Sequence, residues 1–415
     1  MNEVRNILIG LDLTAKGSQM SYYDRQTKEP VSAPVKVGTN LYVYPTAICK
    51  MEGRKEWHTG IEAGYFGSQP GGIAVPDFFE RLSGTQSCQV EGRDYRPSEL
   101  LAIYLRDLLM LTGVPDILQV IDQLTITADT LNKPFVDNVK EAAASLKITG
   151  ERLAIQDHME SFYYYAYSQK EELHARDIGL FEFDGDRVTF RSLVMDHLTK
   201  PALVKVGEPA ETTLPQILEE RDIAFMRFAE QILDKKLYSA VYITGEGFDT
   251  AWAKRSVPVL CRGKRHVFSG TNLFVRGACY AALDKAETHA LKSTLYLGED
   301  LVRTNLGMEM TVRGNPSYFP LISAGTNWFE AGKSCEFILE NKDHLAFAIN
   351  TMDGRTRKFF RMDLPGLPQR PARATRLRLT AMCPSRDVCE VTVEDLGFGG
   401  FYESSGLIWK DSLPL

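Results

Sequence analysis

The sequence predicts an α/β unit followed by an all-β unit. Three features carry that reading. Up to about residue 290, short apolar runs alternate with stretches whose apolar residues recur at helical spacing. Within that alternation, Asp184-Gly185-Asp186 separates two strand-like runs, which is the chemistry of a tight hairpin. From residue 291 onward, alternating strands punctuated by Pro, Gly and Asn take over, across a length suited to a sandwich.

Residues 4–13 (VRNILIGLDL) form a short apolar run that contains Asp12, predicting a buried strand with a polar tip. A turn over 14–18 leads to a return strand at 21–23, and residues 36–49 carry further strand-like runs. Pro97 opens a helix from a first-turn position, and Leu100, Leu101, Tyr104, Leu105, Leu108 and Leu109 follow on one stripe. Residues 124–128 read as a buried strand, 133–146 as an amphipathic helix, 153–156 as a strand and 160–168 as a helix crowded with aromatics. The consecutive aromatics from Phe162 to Tyr165 cannot share one face, so they are expected to pack between lobes or against the β unit. Strand-like runs at 178–183 and 187–195 flank the Asp-Gly turn. Residues 214–237 then read as one long helix, 240–244 as a buried strand running into Gly245-Glu246-Gly247, and 273–285 as a helix rich in small residues. The all-β unit is expected to hold strands near 295–297, 308–312, 335–339, 344–350, 358–363, 375–383 and 388–394.

Composition narrows the function classes. At 415 residues and 44% hydrophobic content, the chain can bury more than one core. A formal net charge of −6 supplies no electrostatic attraction for nucleic acid. The basic run RPARATRLR at 370–378 reads as the entry to an edge strand. No apolar run reaches membrane-spanning length, and the N-terminus lacks a leader pattern. The seven cysteines form no CxxC, and the closest pair, Cys383 and Cys389, has no second pair beside it, which argues against zinc. Reduced thiols in a cytoplasmic protein, with no nucleic-acid or membrane partner, are therefore expected.

Several short motifs fall in a colinear series: Ile9-Gly10-Leu11-Asp12-Leu13-Thr14, Tyr44-Pro45-Thr46-Ala47-Ile48, Tyr95-Arg96-Pro97-Ser98-Glu99-Leu100, Tyr242-Ile243-Thr244-Gly245-Glu246-Gly247 and Arg276-Gly277-Ala278-Cys279. With the order of elements, that series resembles the actin–sugar kinase–heat-shock ATPase superfamily, and within it the seventy-kilodalton heat-shock chaperones. The resemblance implies a two-lobed actin-like ATPase fold over 1–290, built from ribonuclease H-like lobes (lobe I about 1–170, a reduced lobe II about 171–290). A β-sandwich resembling a chaperone substrate-binding domain would follow over 291–415. It further implies ATP or ADP with magnesium as cofactor, and a polypeptide or partner protein bound by the β domain.

On that resemblance, Asp12, Thr14, Ala15 and Lys16 form the first phosphate turn, Asp184 and Gly185 belong to the second, and Gly245, Glu246 and Gly247 form the adenosine turn. Asp12 and Glu182 are the candidate magnesium ligands, and Asp12, Glu160 and Glu182 the candidate catalytic carboxylates. The departures from the family point the other way. Thr14 stands where Gly is preferred. Glu182-Phe183-Asp184-Gly185-Asp186-Arg187 replaces a glycine-rich phosphate loop with carboxylates that repel phosphate and Cβ atoms that obstruct backbone approach. Gly64 occupies the place of the catalytic Lys, a loss worth roughly hundreds-fold in rate. Plain hairpin chemistry accounts for the second turn without a ligand. The expectation is a chaperone-like binding protein with weak or lost ATP hydrolysis. An active ATP-dependent chaperone-type ATPase with an atypical phosphate site is the alternative, and a sugar or metabolite kinase a third reading. In the β domain, Phe398, Phe401 and Tyr402 would cap the sandwich or line a peptide groove, with the cap expected.

Overall fold

The computed structural model describes residues 6–36, 38–196, 198, 200–287, 291, 293–312, 314–340, 342–351 and 357–415. Val4 and Arg5, the start of the expected first strand, lie outside them. The chain divides into two compact units, Met1–Tyr296 and Leu297–Leu415.

The first unit is organised by two sheets of the same connectivity. In the first sheet, β1 (Ile7–Asp12), β2 (Gln19–Asp24) and β3 (Glu29–Ser32) run as an antiparallel meander. β4 (Ile121–Ala128) then joins β1 in parallel and β5 (Leu153–Asp157) joins β4, giving the order β5-β4-β1-β2-β3. The second sheet repeats this arrangement. β6 (Asp177–Asp184), β7 (Arg187–Asp196) and β8 (Ala202–Val206) form the meander, and β9 (Tyr238–Glu246) and β10 (His266–Ser269) add in parallel on the far side of β6. The Asp-Gly turn sits where expected, with Gly185 at φ +65° and Asp184 paired with Arg187.

Local chemistry explains the helices. α1 (Pro97–Met110) starts on a proline, with the Glu99 carboxylate accepting the Arg96 N–H at 2.9 Å. Asn132 caps α2 (Lys133–Ser145) by accepting the Phe135 N–H at 2.8 Å. Asp157 caps α3 (His158–Tyr167) by accepting the Glu160 N–H at 2.6 Å. The long helix expected over 214–237 is shorter at both ends, α4 (Leu218–Leu233), and Ala210–Thr213 before it is an extra strand on β7. The helix rich in small residues is α5 (Leu273–Ala286).

The second sheet is covered on both faces. Phe181, Phe183, Phe190, Tyr238 and Ile243 pack under Phe225 and Leu233 of α4. On the other face, Phe162, Tyr163 and Tyr167 of α3 meet Ile178, Leu180 and Tyr242, alongside Phe274 of α5. α3 thus leaves the first sheet and lays its aromatic stripe on the second, which fixes one sheet against the other. The small residues of α5 serve the same end. A Cβ on Gly277 would stand 1.9 Å from the Ser161 carbonyl oxygen, and one on Gly10 would stand 2.2 Å from the Cys279 nitrogen. We expect Gly277→Val to destabilise the first unit by about 1–3 kcal/mol through this backbone crowding. Urea unfolding would check it, and an unchanged midpoint would show that the two helices can part.

The sequence reading missed several short elements and assigned one strand to the wrong sheet. Among the described residues of 36–47 there is no strand; extended pairing resumes at Ile48–Met51, in a small sheet with Trp57–Thr59 and Gly72–Ala74, followed by the hairpin Cys88–Val90 with Arg93–Tyr95. Strands of three or four residues leave too little periodicity to detect. The expected strand at 295–297 is Thr294–Leu297, which edges the second sheet beside β8.

The second unit is two four-stranded sheets. One orders Asn315–Ile322, Thr304–Val312, His344–Thr351 and Arg357–Asp363; the other orders Gly332–Ile338, Arg376–Ser385, Val388–Gly397 and Ile408–Pro414. Leu377, Leu379 and Ala381 alternate inward with Val391 and Val393 to meet Leu306, Phe347 and Ile349 of the opposite sheet. Arg376–Ser385 is flanked on both sides, so the basic run enters a central strand and not an edge. Its charges are spent locally: Arg373 pairs with Glu340, and Arg378 with Glu336 and Glu394. Phe401 does not cap the sandwich; it is 87% exposed. Among the described residues, no helix is long and apolar enough to cross a membrane.

Candidate functional site

In parallel sheets, the carboxyl ends of the strands converge, and side chains just past those ends form the site. Here the ends of β1, β4 and β5 deliver Asp12, Asp129 and His158, while β6 delivers Glu182 and Asp184, and β9 delivers Gly245 and Glu246.

Asp12 is buried at the tip of β1, and its Oδ1 lies 2.9 Å from His158 Nε2. His158 is the first residue of α3, so the Asp157 cap fixes it in place, and its ring stacks on Phe274 at 4.0 Å and 8°. Burial works against a charged imidazole, but the Asp12 carboxylate outweighs it and the pKa of His158 is raised. The other ring nitrogen, Nδ1, faces Asp129 at 3.9 Å and has no hydrogen-bond partner.

Glu182 is met by Arg191 from the adjoining strand β7, and Arg191 also approaches Asp129 at 3.7 Å. Burial disfavours the guanidinium's charge, yet Glu182 and Asp129 hold its pKa above the ordinary value. Ligand-type atoms of Asp129, His158 and Glu182 lie within 4.8 Å of one another. A guanidinium already stands beside two of the three, so a divalent cation would meet a fixed positive charge there.

The first turn is closed on itself, with the Thr14 hydroxyl donating to the Gly17 carbonyl at 2.7 Å. Ala15 lines a separate cavity with Gly64 and Gly67. Lys16 reaches across to Asp184 at 2.6 Å and Glu246 at 3.8 Å, and the Lys16 ammonium holds the exposed Asp184 carboxyl below its usual range. The second and third turns are fused. The Gly185 N–H donates to the Glu246 carbonyl at 2.9 Å, and a Cβ on Gly245 (φ +85°) would strike the Phe183 carbonyl at 2.0 Å. A Cβ on Gly247 (φ +120°) would likewise strike the Gly185 carbonyl oxygen at 2.4 Å. Arg221 closes the arrangement by donating to the carbonyls of Gly185 and Gly247 with its guanidinium over Trp252. The Gly residues therefore serve backbone-to-backbone packing.

The structure brings Asp12 and Glu182 into one charged cluster, and Lys16, Asp184 and Glu246 into another. Glu160 lies in the first turn of α3. Its backbone N–H donates to the Asp157 cap at 2.6 Å, and its charge acts on the phenols of Tyr163 and Tyr164. Sequence reasoning missed Arg191, Asp129 and Arg221. The available signal for Arg191 was a single charge inside the otherwise uncharged run VTFRSLVM.

As they stand, these residues do not fit a magnesium–triphosphate group. Both candidate magnesium ligands face a cationic or imidazole partner of their own, and the backbone N–H of Gly185 is spent on Glu246.

Residues 29–299 match the family described as "Family of unknown function (DUF5716) C-terminal". Residues 301–415 match "Domain of unknown function (DUF8552)". No curated protein matches the chain.

Proposed function

Within the Family of unknown function (DUF5716) C-terminal, to which this chain belongs, we propose that the protein is a heat-shock-chaperone-like binding protein on a two-lobed actin-like scaffold that has lost ATP hydrolysis. The repeated strand order of the two sheets supports the scaffold, since each is a three-strand meander extended by two parallel strands. One observation carries the loss of hydrolysis. The cleft supplies its own cations, Arg191 on Glu182 and Lys16 on Asp184, and engages Asp12 with His158. A metal-bound phosphate group needs those carboxylates open and backbone donors free.

The second unit is then the binding element. Its exposed Phe401 stands on a tight turn in which the Phe398 N–H donates to the Tyr402 carbonyl at 2.7 Å. An exposed aromatic held by a fixed turn suits capture of an extended polypeptide or a partner protein.

Calorimetry of the full chain with ATP·Mg, followed by phosphate release, tests the reading. We expect no turnover and no affinity tighter than about micromolar. Turnover together with submicromolar binding would overturn it in favour of a working ATPase.

A further inference from the structure

A second cavity, of about 710 Å³, opens in the first unit and shares no lining residue with the cleft. Its volume lies in the range of small-molecule sites. Two aromatic rings form one wall: Trp57 and Tyr95 meet edge to face at 5.1 Å. The Arg93 guanidinium lies 4.6 Å over the Tyr95 ring, which holds a cation against the aromatic wall.

The wall is held in shape before any ligand arrives. The hairpin that carries Arg93 and Tyr95 turns through Glu91 (φ +50°) and Gly92 (φ +75°), both left-handed. That conformation suits Gly or Asn and costs a Glu energy. Glu91 is kept there by its carboxylate, which accepts the Gly53 N–H at 2.5 Å and pairs with Lys50. The hairpin is thereby pinned to the neighbouring strand.

Charge decides what the cavity would take. Four cations line it, Lys50, Lys55, Arg93 and Arg96, against three carboxylates. Glu91 is held by Lys50, and Glu141 by Arg96 at 3.2 Å and by the Ser98 hydroxyl at 2.9 Å. Glu99 accepts the Arg96 N–H at 2.9 Å and lies 3.6 Å from Arg93. Lys55 has no ion pair among the described residues. The carboxylates are thus satisfied, and one positive charge is left over beside the aromatic wall.

We propose that this cavity is a binding site for a planar aromatic group bearing an anion, an aryl phosphate or aryl carboxylate. The ring would lie against Trp57 and Tyr95, and the anion between Lys55 and Arg93. Stacking and charge act at once, so neither half of the ligand alone should bind well.

Phenyl phosphate, phenol and inorganic phosphate, each titrated into the full chain by calorimetry, test this. Phenyl phosphate should bind about tenfold or more tighter than either half, and Lys55→Glu with Arg93→Glu should weaken it by at least about tenfold. Both changes are at exposed positions, and an unaltered thermal melt would show that the fold survives. Lys16→Ala, in the cleft, should leave this binding untouched. Equal binding of phenyl phosphate and inorganic phosphate would overturn the aromatic half of the proposal. Undetectable binding of phenyl phosphate, or binding indifferent to the two glutamates, would overturn all of it.

Discussion

Arg370→Ala is expected to destabilise the second unit by about 3–5 kcal/mol, the cost of stranding a buried carboxylate. Arg370 and Asp395 form a two-pronged pair at 2.7 and 2.8 Å, with side chains only 4% and 0% exposed. Asp395 also accepts from the Ser405 N–H and hydroxyl and from the Gly397 N–H, while Arg370 reaches the Glu403 carbonyl at 2.8 Å. The pair therefore fixes both ends of the turn that displays Phe401. Without Arg370, the carboxylate keeps its burial and loses its main counter-charge.

The pair also sets a pH dependence. The Arg370 guanidinium, working against burial and helped by Ser405 and Gly397, holds Asp395 well below the usual carboxylate range. A depressed pKa adds stability that is complete above the unfolded value of about 4 and is lost as pH falls towards the folded one. The gap between wild type and Arg370→Ala should be full at neutral pH and narrow under strong acid. Urea unfolding at several pH values measures it. A gap under about 1 kcal/mol at pH 7 would show that Asp395 finds water when Arg370 is gone.

His158→Ala is the counterpart in the first unit. It removes the group against Asp12 inside the protein, again with an expected loss of about 3–5 kcal/mol. Here the sign is reversed. The raised pKa of His158 means that its contribution is complete below the unfolded value of about 6.5 and is lost as pH rises through the folded one. The penalty of the substitution should thus be greatest near pH 6 and shrink on the alkaline side, where a neutral imidazole still bonds to Asp12. Thermal melts across that range would reveal the trend. A penalty that grows with pH would mean that the imidazole is neutral in the fold, held there by burial.

Much of the fold was legible locally. The buried strand ending on Asp12, the Pro97 helix start, the amphipathic helix at 133 and the Asp-Gly hairpin each rest on a few nearby residues, and each appears in the structure. Where the reading slipped, the elements were too short for a period to build up, as at Gly72–Ala74 and Ala210–Thr213. The same limit applied to Arg370–Arg378, where alternation predicts a strand but says nothing of its place in the sheet. Phe401 was expected to be covered because aromatics usually are, and burial of a loop residue is not written in its neighbours.

The sequence alone determined the main helices and strands of the first unit, the strand-rich character of the second, and that carboxylates surround the turn at Gly185. Only the tertiary structure decided what those carboxylates meet. Asp12 and His158 lie 146 positions apart, and Lys16 and Asp184 lie 168 apart. Hydrophobic period and capping act over a few residues, whereas an ion pair depends on which strand ends the sheets bring side by side. That juxtaposition, set by strand order, put Arg191 and His158 against the carboxylates of the cleft.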